Sequence, residues 1–341
     1  MSTRSVWKVT PKAGSFDRLY LMEEEERALA PGEVRVEVKA IGLNFADIFS
    51  IFGLYKATPK GEFIPGLEYS GIITEVGEAV PEHIRKGTRV MAVTRFGGYA
   101  TSNISDYRYV TPIPENWTFE EGAAYLVQVL TAYYALVELG NLQQNQTVLI
   151  HSAAGGVGVW AHRVAKQYNA YTIGCVGSED KLAVLKNEGF DKGFVRKKDF
   201  YNDLQEVLGE RPLHLVMECI GGKVLKDSFK AMAKQGRMIC YGSAYYAQPG
   251  KKPNIPALLL KFLTRPKIDP QLMIQENKAV MGFNLIFLYE QAHKVAEILE
   301  ALGKMDLGKP YIGHEYHWND LKGALTEFLS GKTTGKLVVK V

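Results

Sequence analysis

Cysteine is scarce in this sequence, and its spacing excludes two kinds of site. The 341 residues include three cysteines, Cys175, Cys219 and Cys240, and no two of them form a C-x-x-C pair. Neither a disulfide framework nor a cysteine-rich zinc site can be built from so few thiols at these spacings. A reducing compartment fits this composition, so we expect a cytoplasmic protein.

Long apolar runs and a strong net charge are also missing. The sequence contains no run of about 18 apolar residues, the length that a membrane-spanning helix needs, and no apolar stretch follows the N-terminus as in a signal peptide. The net charge of +4, from 41 basic and 37 acidic residues, is too weak and too evenly spread to indicate a nucleic-acid partner. What is present, 46% hydrophobic residues and 33 glycines, is typical of a folded protein with many tight turns.

The pattern of apolar residues divides the chain into a β-rich part and an alternating part. Short β-like runs such as 34–39 (VRVEVK) fill the first 120 residues. A capping box at 118–121 (TFEE) then opens a long apolar segment. From 147 onward, strands alternate with helices, which predicts a parallel sheet with crossover helices. The fold class is therefore α/β, with a separate β domain.

A strand, a turn of small residues and a helix start follow one another at 147–158, which reads TVLIHSAAGGVG. Ala153, Gly155 and Gly158 occupy the three spaced positions of a G-x-G-x-x-G motif, with Gly156 and Val157 between the last two. Small residues let the backbone approach a pyrophosphate, and the helix N-terminus offers free N–H groups to it. The segment predicts a dinucleotide site, and the alternative is a small-residue turn with no cofactor.

The end of the next strand favours NADPH over NADH as the cofactor. An acidic residue there would bind the ribose 2′-hydroxyl of NADH, but Gly177 stands in its place. Ser178, Lys181 and Arg196 offer a hydroxyl and two cations for a 2′-phosphate. The alternative for both basic residues is a solvated surface charge.

The sequence resembles the medium-chain dehydrogenase/reductase superfamily along essentially its whole length. The resemblance is carried by 42–48 (GLNFADI), 53–55 (GLY), 65–71 (PGLEYSG), 130–133 (LTAY), 151–158 (HSAAGGVG) and 276–285 (ENKAVMGFNL). Within the superfamily the chain is similar to the quinone oxidoreductases related to zeta-crystallin, and most of all to the VAT-1 group, because of the last of these segments.

This resemblance implies two domains with a cleft between them. A GroES-like β domain would comprise 1–121 and 286–341, and a Rossmann domain with a doubly wound parallel sheet would comprise 122–285. The cofactor and substrate would lie in the cleft. The resemblance also implies a homodimer formed through an edge strand near 279–283.

Zinc-dependent members of the superfamily hold a catalytic metal at positions that correspond here to Asn44, Leu67, Glu68 and Gln128. Asn, Leu and Gln cannot build a tetrahedral zinc site. We therefore expect no metal site, and an acceptor that needs little polarisation, such as a quinone or an α,β-unsaturated carbonyl (an enone).

The resemblance assigns roles to individual side chains around the nicotinamide. Catalytic candidates are Asn44, Asp47 and Tyr55, and further cofactor contacts are Thr131, Tyr241, Gly282, Phe283 and Lys336, besides Asn44 itself. Several of these residues also have a purely structural alternative. Asn44 and Asp47 could cap a helix, and Tyr55 could be a packing residue in a loop. Tyr241 and Phe283 could belong to the hydrophobic core.

One segment leaves the function open between an enzyme and a membrane-associated protein. The apolar run 255–263 (IPALLLKFL) lies between basic residues, and such a run can rest peripherally on an anionic membrane. VAT-1 proteins are associated with membranes, so the alternative function is a lipid-binding protein that retains its nucleotide. Because the run is short and contains Pro256, a helix over the cleft or at a dimer interface is the simpler interpretation.

Overall fold

The computed structural model describes residues 2–341. Their strands form a two-stranded antiparallel sheet, a seven-stranded sheet that is antiparallel except for one parallel pair, and a six-stranded parallel sheet. The strands are β1 (Thr3–Val9), β2 (Leu19–Glu25), β3 (Glu33–Gly42), β4 (Glu68–Val76), β5 (Arg89–Val93), β6 (Ser102–Asp106), β7 (Val110–Pro112), β8 (Thr147–His151), β9 (Tyr171–Val176), β10 (Lys192–Val195), β11 (Leu215–Glu218), β12 (Arg237–Cys240), β13 (Ala279–Gly282), β14 (Ile312–His317) and β15 (Lys336–Lys340). The helices are α1 (Phe45–Phe52), α2 (Phe119–Ala123), α3 (Leu126–Tyr133), α4 (Gly156–Gln167), α5 (Leu182–Glu188), α6 (Phe200–Leu208), α7 (Gly222–Ala231), α8 (Ile255–Leu263), α9 (Pro270–Glu276), α10 (Leu285–Leu288), α11 (Ala292–Gly303) and α12 (Leu321–Leu329).

The β domain joins the beginning of the chain to its end. Its sheet has the order β14-β15-β3-β4-β5-β7, and β6 also pairs with β3. The apolar and charged residues at 34–39 alternate because successive side chains of β3 face opposite sides of the sheet. Val34, Val36 and Val38 are buried, while Glu37 faces outward. The C-terminal strand β15 lies antiparallel to β3, with Val339 opposite Ile41. The last residues of the chain therefore complete the domain that the first residues begin.

The second domain is a six-stranded sheet in which all strands are parallel, in the order β10-β9-β8-β11-β12-β13. Counted within the domain, this is the order 3-2-1-4-5-6 of a doubly wound sheet. The predicted α/β fold class, with its parallel sheet, is thus confirmed. Parallel strands are buried on both faces, which is why β8 is apolar at Val148, Leu149 and Ile150.

Helix α11 precedes β14 and β15, the last two strands of the β domain. Val295, Ile298 and Leu302 of that helix share one apolar core with α3 and α4 of the parallel-sheet domain. Since α11 packs with that domain, we propose that the chain returns to the β domain between α11 and β14. This boundary is later in the sequence than one at residue 286.

Candidate cofactor and acceptor site

A large cavity opens between the two domains, with a volume of about 1030 Å³. It lies at the carboxyl ends of the parallel strands, where Ser152 follows β8, Gly177 follows β9 and Cys219 follows β11. The order of the strands reverses between β8 and β11, and doubly wound sheets bind their ligands at that point. The volume exceeds what one small ligand fills, so the cavity has room for a dinucleotide and a second molecule.

The turn from β8 to α4 forms one wall of the cavity and can be built only from small residues. Ser152 adopts the left-handed region at φ 50°, and Gly155 precedes the first turn of α4. A side chain at Gly158 would place its Cβ 2.6 Å from the Cα and carbonyl oxygen of Ala153. Gly155, Gly156, Val157 and Gly158 line the cavity, whereas Ala153 is buried beneath the turn. The free N–H groups at this helix N-terminus can hold a pyrophosphate.

The four residues predicted to favour a 2′-phosphate have different environments. Gly177 and Arg196 both line the cavity, and a Cβ on Gly177 would lie 3.7 Å from Nη2 of Arg196. Ser178 lies outside the cavity lining, at the start of the helical turn that follows. Lys181 lines the cavity and is buried; its ammonium donates to the carbonyl of Gly331 and, at 2.8 Å, to that of Thr333. Burial lowers the pKa of Lys181.

A buried polar cluster around Asn44, Gln128 and Lys336 forms the floor of the cavity. Lys336 donates to Oε1 of Glu68 and, at 3.0 Å, to Oδ1 of Asn44. The Gln128 amide donates to the same two oxygen atoms, at 2.8 Å to Glu68 and 2.9 Å to Asn44. Asn44 itself donates to Glu68 at 3.0 Å. Burial lowers the pKa of Lys336, while the adjacent Glu68 carboxylate acts in the opposite direction.

The cluster contains Asn44, Glu68 and Gln128, at which the resemblance places the metal of zinc-dependent members, and its atoms do not suit zinc. The residues here are two amides, one carboxylate and the ammonium of Lys336, and an ammonium repels a second cation. Across residues 2–341, no three His, Cys, Asp or Glu side chains gather closely enough to hold a metal ion. No reaction step is therefore derived through a metal.

Asp47 is close to this cluster but does not line the cavity. Its Oδ2 accepts the Asn44 N–H and the Tyr99 hydroxyl, each at 2.8 Å, and the residue is 1% exposed. This is the N-terminal cap of α1, so any role of Asp47 in catalysis acts through the position of Asn44. Burial raises the pKa of Asp47 to about 7.

Two phenols, those of Tyr55 and Tyr289, line the cavity, and we call the part beside them its acceptor end. Tyr55 donates to Oδ1 of Asn284 at 2.6 Å, and this bond joins the β domain to the segment after β13. Burial raises the pKa of Tyr55 to about 12, so its hydroxyl is protonated at neutral pH. Tyr289 lines the same end, and its buried hydroxyl has no hydrogen-bond partner among residues 2–341.

The remaining predicted contacts surround the space between floor and turn. Tyr241 and Phe283 follow β12 and β13, and their rings stack with centroids 6.4 Å apart. Gly282 ends β13 and lines the cavity beside Phe283. Thr131 lines the cavity as well, and its hydroxyl donates to the Val127 carbonyl of the preceding turn at 2.7 Å.

Of the predicted site residues, the cavity therefore brings together all but Asp47, Ala153 and Ser178. Sequence reasoning missed the Asn284 amide and the unpartnered Tyr289 hydroxyl. Asn284 lies two residues after β13, and the position of a polar residue after a parallel strand is the signal that could have identified it. Tyr289 follows α10 and carries no such signal. A contact of Lys336 with the cofactor stays a prediction: the residue lines the cavity, and its side chain extends to Glu68 and Asn44.

Two family models match this chain. The alcohol dehydrogenase GroES-like domain matches residues 30–115, and the zinc-binding dehydrogenase model matches residues 156–302. The second match ends within α11.

Individual relatives match over nearly the whole chain. The zebrafish (Danio rerio) synaptic vesicle membrane protein VAT-1 homolog is 31% identical over 333 residues, which are 96% of this chain and 68% of the relative. The crystal structure of the human VAT-1 homolog-like protein has a TM-score of 0.84 at 25% identity and covers 100% of this chain and 99% of that one. The quinone oxidoreductase of Thermus thermophilus, solved also as a complex with NADPH, has a TM-score of 0.80 at 26% identity, with 99% and 100% covered.

Proposed function

This chain belongs to the medium-chain dehydrogenase/reductase superfamily, and we propose that it is an NADPH-dependent, zinc-independent oxidoreductase that reduces a quinone or an enone. One observation carries the proposal. A phosphate-binding turn and an apolar pocket whose polar floor suits no metal meet in the same cavity. Its substrates are small molecules.

The cofactor is NADPH, which supplies a hydride when bound. The N–H groups at the start of α4 hold the pyrophosphate. Gly177 leaves space for the 2′-phosphate, and Arg196 and Lys181 provide positive charge beside it. The likeness to the Thermus thermophilus enzyme, whose structure includes NADPH, supports this assignment.

The cavity floor orients the nicotinamide against the acceptor. The side-chain oxygen of Asn44 is fixed by Gln128 and Lys336, and Tyr241 with Phe283 limits the movement of a ring placed between them and the floor. Fixing two reactants in contact removes much of the entropic cost of their reaction. Because quinones and enones are already electron-poor, orientation contributes more here than polarisation of the acceptor.

Tyr55 holds the proton that an enone needs after it has received a hydride. Its phenol is protonated at neutral pH and half-buried at the acceptor end. The hydrogen bond to Asn284 fixes its direction. Asp47 contributes indirectly, because it caps the helix that presents Asn44.

Steady-state kinetics test this proposal. We expect loss of absorbance at about 340 nm, the signature of hydride leaving the cofactor, when 9,10-phenanthrenequinone or 3-nonen-2-one is added with NADPH. NADH should react more slowly, and dialysis against a chelator should leave the rate unchanged. Binding of NADPH without turnover of any quinone or enone would contradict the proposal, as would activity that requires added zinc.

A second candidate function rests on the outward face of α8. Leu260 and Leu263 are 63% and 66% exposed, and Lys252, Arg265 and Lys267 flank the helix. An apolar face with basic neighbours suits peripheral contact with an anionic membrane. None of the helices within residues 2–341 is long and apolar enough to cross a bilayer. Sedimentation with phosphatidylserine vesicles tests this function, and equal sedimentation of wild type and Leu263→Asp would contradict it.

A further inference from the structure

The helix α8 presents a continuous apolar stripe to the cavity. Ile255, Leu258, Leu259 and Phe262 all line it, and their spacing of i, i+3, i+4 and i+7 places them on one face of the helix. Leu258 is buried, yet Ile255, Leu259 and Phe262 are 59%, 55% and 51% exposed. These three side chains therefore form the apolar mouth of the cavity and retain area that a ligand could cover.

The end of α1 borders the same mouth. Phe49 and Leu54 line the cavity, and together with Tyr246 and Pro253 they also line a small crevice below the segment that leads into α8. Leu54 is 40% exposed. The mouth thus has apolar side chains on both elements.

Charge is confined to the other parts of the cavity. The charged residues in its lining are Lys181 and Arg196 at the nucleotide end and Lys336 in the floor; no carboxylate from residues 2–341 lines it. A charged or strongly polar acceptor would find no partner between Phe49 and Phe262. An apolar chain, in contrast, would cover the exposed parts of Leu54, Leu259 and Phe262, which favours its burial.

We infer that the mouth between α1 and α8 is a subsite for an apolar chain carried by the acceptor, so that the preferred substrates are enones or quinones with a long alkyl or prenyl tail. The inference rests on the proposed function and deepens it by naming the substrate class. The nine residues of α8 span about 13 Å at 1.5 Å per residue, which allows the chain to extend well beyond the reacting carbonyl.

A series of acceptors of increasing chain length tests the inference. With NADPH and the 3-alken-2-ones from 3-penten-2-one to 3-undecen-2-one, we expect kcat/KM to rise by about two- to fourfold per added methylene, the effect of partial to full burial of a CH₂ group. Leu259→Asp and Phe262→Ser should flatten this rise, because they lower kcat/KM for 3-undecen-2-one much more than for 3-penten-2-one.

Leu263→Asp is the matched control, because Leu263 is also more than half exposed on the same helix but lies outside the cavity lining. It should keep the full dependence on chain length. A flat series in the wild type would overturn the inference. So would an equal loss in Leu259→Asp and Leu263→Asp, since that result would show a surface covered by a second copy or a membrane and not a substrate subsite.

Binding of saturated ketones separates the subsite from the reaction. Calorimetric titration of 2-undecanone and 2-pentanone into the NADPH-loaded protein measures the subsite without turnover. Tighter binding of 2-undecanone, lost in Leu259→Asp, supports the subsite even if no enone is reduced, and that combination would overturn only the reductase. Equal affinity for the two ketones would overturn the subsite whatever the activity.

Discussion

At the scale of single residues, the buried carboxyl of Asp47 makes the free energy of unfolding depend on pH. Its folded-state pKa of about 7 lies far above the 3.8 of an exposed carboxyl. Between these two pH values the folded protein keeps a proton that the unfolded chain has released. The free energy of unfolding attributable to Asp47 therefore falls as the pH rises through this interval.

Replacing Asp47 with Asn should remove that dependence. The amide oxygen of Asn can still accept from the Asn44 N–H and the Tyr99 hydroxyl, but the side chain cannot titrate. We expect the difference in unfolding free energy, wild type minus Asp47→Asn, to fall by up to about 1.4 kcal/mol per pH unit between pH 5 and pH 7. Urea denaturation at several pH values measures it, and parallel curves for the two proteins would show that the carboxyl is already ionised.

Arg196 is expected to decide the choice between the two nicotinamide cofactors. Arg196→Gln should lower kcat/KM for NADPH by about tenfold or more, because a charge-assisted contact to phosphate is lost, and should leave NADH almost unaffected. Arg211→Gln is the control, since the Arg211 guanidinium stacks on Tyr171 and does not line the cavity. An equal loss with both cofactors would place Arg196 outside the phosphate site.

At the scale of elements, the turn between β8 and α4 requires glycine at one position above all. A Cβ at Gly158 would meet backbone atoms of Ala153 at 2.6 Å, and backbone cannot rotate away. Gly158→Ala should destabilise the fold by about 1–3 kcal/mol and weaken NADPH binding, as read from thermal unfolding and nicotinamide fluorescence.

Gly303→Ala is the matched control for that substitution. Gly303 ends α11, and a Cβ there has no neighbour within 4 Å. Since Ala favours a helix over Gly, the control should gain up to about 1 kcal/mol. Equal effects of the two substitutions would contradict the role given to the turn.

Local pattern explains why this turn, but not the cavity floor, could be predicted from sequence. The strand, the small residues and the helix start lie within 12 consecutive positions, 147–158, and each follows from local preferences. The floor joins Lys336 to residues 292 and 268 positions away. No periodicity in the sequence indicates such a pairing, so the bonds of Lys336 to Asn44 and Glu68 could not be predicted.

The helix α8 could be predicted from sequence, but the face that it turns to the cavity could not. Its apolar run, its asparagine cap and its proline in the first turn indicate a helix. Which face lines the cavity depends on α1, about 200 residues earlier in the chain. Sequence alone therefore does not decide whether α8 contacts a membrane, covers the cleft or forms a dimer interface.

At the scale of the whole molecule, β13 is the outer strand of the parallel sheet within residues 2–341. The N–H groups of Ala279 and Phe283 bond toward the β12 side, so that of Val280 points outward, and an open edge favours pairing with another strand. We expect a homodimer joined at β13, with a mass of about 76 kDa by light scattering, twice the 38.0 kDa of the chain.

Val280→Pro tests that interface without removing a bond to β12. Proline lacks the outward N–H and is tolerated on edge strands, so the variant should remain folded and run as a monomer of 38.0 kDa. A wild type that is itself monomeric, or a variant that stays dimeric with native circular dichroism, would contradict pairing through this edge.

The central claim is that the cleft transfers a hydride from NADPH to an electron-poor carbon, and following the hydrogen itself tests it most directly. NADPH carrying deuterium at both C4 positions would be incubated with the protein and 3-nonen-2-one, and the product analysed by mass spectrometry and NMR. The account predicts 2-nonanone with one deuterium on the carbon that was β to the carbonyl, and with the α hydrogen taken from solvent. Bound NADPH that reduces neither this enone nor 9,10-phenanthrenequinone would contradict it, as would 2-nonanone without deuterium at that carbon.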